Sequence, residues 1–203
     1  MAATKKRERR TPEEARALIL DAAERVFRDR LPDVAGLKDV AYEAGVSHAL
    51  VTHYFGTYAG LVERTLERRF ERMREVLVAE LGTALAEGKD VGAVLAIYRA
   101  TVARVMGEPV TMRLASWALL SGRADAADFV SHRVQGLRLL TDALEARSGL
   151  PREDLEFALV ASLAMAVVST AGRRALAGAL GRKGGLDAVE ERTRAMIDAY
   201  LHR

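Results

Sequence analysis

Apolar residues recur every three to four positions along nearly the whole chain, and no stretch alternates with the period of two that a half-buried strand requires. Helix is the regular structure this pattern supports, and 36 alanines strengthen it. The first helix is the clearest, with Ala15, Leu18, Ile19, Ala22, Ala23, Val26 and Phe27 on one stripe. Thr11-Pro12-Glu13-Glu14 opens it with a cap, a proline at the first helical position and two acids that suit the helix dipole. Asp33 to Gly36 is a predicted turn, followed by short helices at 37–44 and 47–54 and a long charged helix at 57–86. Leu61, Leu66, Phe70, Met73 and Leu77 face inward on that long helix. Further helices are predicted at 90–107, 109–121, 125–148, 152–180 and 186–202, and Pro12, Pro32, Pro109 and Pro151 all fall at or just before helix starts. The expected fold is all-α, with a three-helix N-terminal unit over 1–56 and a helical bundle over 57–203.

The informative stretch runs from Leu37 to Phe55. Leu37, Val40, Ala41 and Ala44 make one apolar face, and Gly45 can take the left-handed conformation that ends a helix without a Cβ penalty. Val46 fills the angle that follows, and Ser47 caps the next helix. Helix, three-residue turn, helix is the arrangement whose second helix can enter a DNA major groove.

Composition sharpens this. The chain has no cysteine, which excludes a disulfide framework, a thiolate metal site and a cysteine nucleophile. No apolar run is long enough to span a bilayer, and no signal-peptide core follows the first basic residues, so a cytoplasmic protein without a membrane partner is expected. Histidines 48, 53, 132 and 202 are scattered without metal-ligand spacing, and no phosphate-binding loop or nucleophile elbow occurs. Neither an enzyme nor a cofactor is expected. The net charge of +3 is unevenly placed: Lys5, Lys6, Arg7, Arg9 and Arg10, against the single acid Glu8, form a basic arm directly before the helix-turn-helix. Such an arm suits a DNA clamp with a salt-dependent contribution.

Lys38-Asp39-Val40-Ala41-x-x-Ala44-Gly45-Val46-Ser47, followed by Tyr54-Phe55 and Leu61, resembles the TetR-type transcriptional repressors over residues 11–65. The resemblance implies a three-helix DNA-binding domain and a helical ligand-binding and dimerisation domain. It also implies release from operator DNA when a small molecule binds. On the matching positions it makes Ser47 to Tyr54 the recognition helix. Ser47 would cap it and meet a phosphate, His48, Thr52 and His53 would reach base edges or phosphates, and Tyr54 and Lys38 would contact phosphate. Thr52 stands where the family often has Tyr, and Tyr58 where it has Lys; the Tyr58 hydroxyl could still donate one hydrogen bond to a phosphate. A helical ligand-binding or scaffolding protein with a degenerate helix-turn-helix is the competing class, and an activator shares the same chemistry.

The C-terminal half offers less. Residues 155–171 and 186–202 suit a four-helix dimer interface because small side chains let helices approach closely, and a homodimer matches a palindromic operator. Trp117, Met112, Tyr98, Phe129 and Met165 are large adaptable candidates for an apolar ligand pocket, with Arg113 meeting a carboxylate and His132 nearby. The effector expected is a small hydrophobic or amphipathic molecule.

Overall fold

The computed structural model describes residues 10–122, 127–181 and 187–201, with backbone alone at 127–135, 171, 174 and 175. Its regular structure is helical throughout the described residues: α1 (Pro12–Asp29), α2 (Leu37–Ala44), α3 (His48–Phe55), α4 (Tyr58–Ala86), α5 (Val91–Met106), α6 (Pro109–Leu120), α7 (Ala127–Ser148), α8 (Arg152–Ala171), α9 (Arg173–Ala179) and α10 (Asp187–Leu201). The predicted helix starts at 37, 47, 57, 90, 109 and 152 agree within about two residues, the usual ambiguity of helix ends, while those at 125 and 186 lie outside the described residues.

Local chemistry explains the first boundaries. Thr11 accepts the Glu14 N–H while Glu14 accepts the Thr11 N–H, a reciprocal capping box. The α1–α2 turn is held by Asp39, whose carboxylate accepts from the Gly36 N–H at 2.9 Å and from Arg30 at 2.9 Å. α1 buries Ala15, Ile19, Ala22, Ala23 and Phe27 against α2, α4 and α6. The first turns of α4 return Leu61, Val62 and Leu66 to the same core. The rest of α4 packs on α5 and α6, so one helix serves both ends of the molecule. α5 in turn packs on α8, which is flanked by α7 and α10.

One expectation is corrected. The helix predicted at 152–180 is two helices that meet at Gly172 (φ −105°, ψ 3°). A Cβ there would lie 3.2 Å from Leu176 Cδ1 and 3.1 Å from the Val168 carbonyl oxygen, so the missing side chain lets Leu176 lie over the bend. Hydrogen bonds bracket the change of direction, from the Gly172 N–H to Val168 and from the Leu176 N–H to Gly172.

Candidate nucleic-acid interface and its junction with the body

Gly45 ends α2 in the left-handed region (φ 64°), and the Val46 and Gly45 N–H groups bond back to the Ala41 and Tyr42 carbonyls at 3.0 and 3.1 Å. That pair of bonds is the Schellman closure, and it sets the angle at which α3 leaves α2. Ser47 caps α3 by accepting the Leu50 N–H at 3.2 Å. Val51 is the fully buried residue of α3, anchoring it to the core. At the far end Gly56 has φ 67°, and α4 begins so close behind that a Cβ on Gly60 would lie 2.6 Å from the Phe55 carbonyl oxygen. Only glycine fits there without moving backbone.

These constraints give α3 one solvent-facing arc. His48, Ala49 and His53 are exposed and Thr52 is half-buried; at 100° per residue they follow in the order His48, Thr52, Ala49, His53. His48 and His53 therefore bound the same arc. The Thr52 hydroxyl donates to the His48 carbonyl at 3.1 Å, which leaves its lone pairs outward. The His53 and Tyr54 rings meet edge to face at 5.1 Å, and the Arg16 guanidinium of α1 lies 5.5 Å from the Tyr54 ring centroid. Lys38 stands exposed on the first turn of α2. Ala49 and Arg16 are additions to the residues read from sequence. Ala49 could have been found by completing the arc, whereas Arg16 joins α3 only through tertiary packing.

Tyr58 is placed differently from the expectation. Its hydroxyl donates to the Pro32 carbonyl at 2.7 Å, its ring packs on Phe27, and burial, followed by Asp39 and Asp33, raises its pKa. The hydroxyl is held by the α1–α2 turn rather than offered to a phosphate. Lys5, Lys6 and Arg7 lie outside the described residues.

Two of the residues expected in a ligand pocket belong to the junction between head and body. Arg113 of α6 donates to the Arg28 carbonyl at the end of α1, and the Trp117 indole N–H donates to Asp33 at 3.1 Å. Both side chains extend toward the head because α6 packs directly on α1. Deeper in the junction, Glu24 of α1 is ringed by Arg68 (2.5 Å), Arg69 (2.8 Å) and Arg72 (3.2 Å) of α4. Arg69 also donates to Thr111 at 2.6 Å and to Glu108. Desolvation lowers the Arg69 pKa, opposed by the neighbouring Glu24. Met112 is half-buried against the core and Tyr98 is buried within it. Met165 lines a separate cleft between α5, α8 and α10. The side chain of Phe129 lies outside the described residues.

A short helix displayed by a left-handed glycine turn, on a core closed by α1 and α4, is a helix-turn-helix head on a helical body. Residues 19–79 match the family described as "Bacterial regulatory proteins, tetR family". The HTH-type transcriptional repressor Rv3405c of Mycobacterium tuberculosis is 34% identical over 75 residues, covering 37% of this chain and 40% of that protein. The HTH-type transcriptional regulator BetI of Rhizobium meliloti is 32% identical over 82 residues, 40% of each. The aligned stretch thus spans about two fifths of those relatives' length. Two solved TetR-family regulators share the fold over the full length. One, from Mesorhizobium loti, has a TM-score of 0.64 at 16% identity, covering 95% of this chain and 98% of its own. The other, from Streptomyces coelicolor, has a TM-score of 0.57 at 23% identity over 94% and 99%. Residues 19–79 thus match the N-terminal domain of the tetR family, and the chain as a whole shares the fold of these two regulators. Among the described residues no helix is long and apolar enough to cross a membrane.

Proposed function

We propose that this protein is a homodimeric transcriptional repressor that binds palindromic operator DNA through α3 and leaves it when a small apolar or amphipathic molecule occupies the helical body. Residues 1–56 form the DNA-binding head in this reading and 57–203 the ligand and dimer domain. The observation that carries it is the arc of His48, Thr52, Ala49 and His53 on a helix held by Ser47 and Val51. The two histidines and Thr52 supply hydrogen-bonding groups for base edges, and the Ala49 methyl suits a thymine methyl. Lys38, Arg16, Tyr54 and the basic arm flank the arc as phosphate contacts. Its DNA target places the protein in the cytoplasm.

Dimerisation is supported by α8 and α10, which expose Phe157, Val160, Val168 and Met196. A second copy covering that face presents two α3 helices to half-sites about 34–36 Å apart, or a multiple of that spacing. Ligand response is supported by the junction: Arg113, Trp117 and the Glu24 cluster tie α6 and α4 to the head, so a shift of either helix in the body moves α3. The ligand must favour the released spacing by differential affinity.

Fluorescence anisotropy on promoter DNA adjoining the gene, across a salt series, tests the reading. Binding should weaken steeply with salt, and removal of Lys5 to Arg10 should weaken it on all sequences and flatten the salt slope. Thr52→Ala and His53→Ala should instead erode discrimination between bases, by about 1–3 kcal/mol for each base-edge hydrogen-bonding pair removed. Absent or salt-insensitive binding overturns the proposal.

A further inference from the structure

α5 carries one charged residue between Asp90 and Arg104, and that residue is Arg99. It lines a cleft of about 260 Å³ bounded by α5, α8 and α10. Ala96, Ala100 and Ala103 form the floor on α5, while Met165 and Ile197 supply an apolar wall. The Arg99 side chain is only 15% exposed, and its Nε and Nη1 are buried with no hydrogen-bond partner among the described residues. Its Nη2 lies 3.7 Å from Asp198 Oδ1, beyond hydrogen-bond reach. Burial lowers its pKa, a shift that Asp198 opposes and Arg194 adds to. A guanidinium held this way lacks the acceptors that normally offset its desolvation.

We propose that this cleft binds a small organic monoacid, whose carboxylate draws the under-paired Arg99 guanidinium round into the cleft and accepts hydrogen bonds from it, while its apolar body lies on the alanine floor. Size and charge set the class. The volume falls below the roughly 300–1,000 Å³ of pockets for drug-sized ligands, which suits a short acyl or aryl chain. Arg194 adds a second cation at the exposed rim, but Asp198 and Glu190 stand beside it, with Glu190 paired to Arg173 at 2.6 Å. That balance accommodates one negative charge and opposes a dianion such as phosphate. On α8 the exposed Phe157, Val160 and Val168 centre roughly 140° around the helix from the centre of Met165 and Ala166, so the proposed dimer face leaves the cleft side of α8 free. Arg113, expected from sequence to meet the carboxylate, is held by the Arg28 carbonyl, and Arg99 takes that role. The proposal deepens the ligand-response reading and rests on it only for the consequence at DNA.

Isothermal titration of the full-length protein without DNA tests the site, with octanoate and phenylacetate as probes and their amides as uncharged controls. At least one acid should bind, with its amide at least tenfold weaker. Arg99→Met should lower acid affinity at least tenfold while leaving the circular dichroism spectrum and DNA binding unchanged. Ala100→Phe, which fills the floor and keeps the guanidinium, should have the same effect and carries the test if the arginine variant folds poorly. Equal affinity for acid and amide, full affinity in the Ala100→Phe variant, or no binding of either acid at millimolar concentration overturns the proposal. Anisotropy of the DNA complex with the bound acid then reads the other reading separately. Acid that binds through Arg99 without releasing DNA supports the site and overturns ligand-released repression.

Discussion

Arg69 and Arg99 are both arginines drawn into helical surroundings, and desolvation lowers the pKa of each. Their company differs. Arg69, at the junction of α1, α4 and α6, has Glu24, Thr111 and Glu108 for partners. Arg99, between α5, α8 and α10, has Asp198 at 3.7 Å and two nitrogens without an acceptor among the described residues. Burial alone would class them together, but the hydrogen-bond complement separates a structural tie from a group positioned for a ligand. The head is thereby joined to the body through polar contacts with particular geometries, while the body's cleft is mainly apolar and open. In the proposed function, signal transmission would draw on the first property and ligand capture on the second.

Substitutions can break that contrast. The largest effect is expected from Glu24→Ala, which leaves Arg68 and Arg69, 14% and 9% exposed, without their shared carboxylate. Urea unfolding should show a loss of about 3 kcal/mol, the lower end for breaking a buried pair because Glu108 remains. High pH probes the same two regions through a tyrosine in each. Burial pushes the Tyr98 pKa up to about 12, and that of Tyr58 is raised further. An unfolded tyrosine ionises near 10. Stability from these groups is therefore full below about pH 10 and falls as pH rises through 12. Tyr98→Phe should flatten the alkaline slope of thermal stability, and Tyr58→Phe should flatten it too while losing the Pro32 hydrogen bond at every pH.

Smaller effects follow. Trp117→Phe removes the bond to Asp33 and should cost up to about 1 kcal/mol of stability. It should leave acid binding in the α5–α8–α10 cleft within twofold, and a tenfold loss there would show that the junction and the cleft are one site. Arg99→Met is expected to change urea stability by less than about 1 kcal/mol in either direction, since an incompletely paired charge gives way to an apolar side chain. A loss as large as that of Glu24→Ala would make Arg99 a structural tie like Arg69.

Periodicity makes the helices legible, and local rules make the caps legible: the Thr11 box, the Gly45 turn and the Ser47 cap all depend on residues within a few positions of each other. The break at Gly172 escapes such rules because the apolar pattern continues across it, and the close approach of Leu176 to that glycine is visible only in the folded chain. Trp117 and Arg113 look like pocket residues in a sequence because size and polarity do not reveal direction. Their hydrogen bonds reach residues more than eighty positions away. The position of Tyr58 is hidden for the same reason, since Pro32 enters its surroundings only after the chain folds. Arg99 does leave a trace, a lone charge on an otherwise apolar stretch of α5. Its missing partners become visible only when α8 and α10 are set beside it.

α3 is eight residues long and Val51 is its fully buried side chain. A two-turn helix is not stable alone, so it persists through its flanking caps, that anchor and the helices on either side. The outward positions 48, 49, 52 and 53 contribute little to folding, and surface changes of this kind usually alter stability by no more than about 0.5 kcal/mol. On the proposed function, sequence drift at those four positions can redirect what the helix reads while the scaffold stays intact. The outward arc of α3 is free to change in a way the Glu24 cluster is not: on that reading a new operator would need few coordinated changes, whereas a new junction needs several at once.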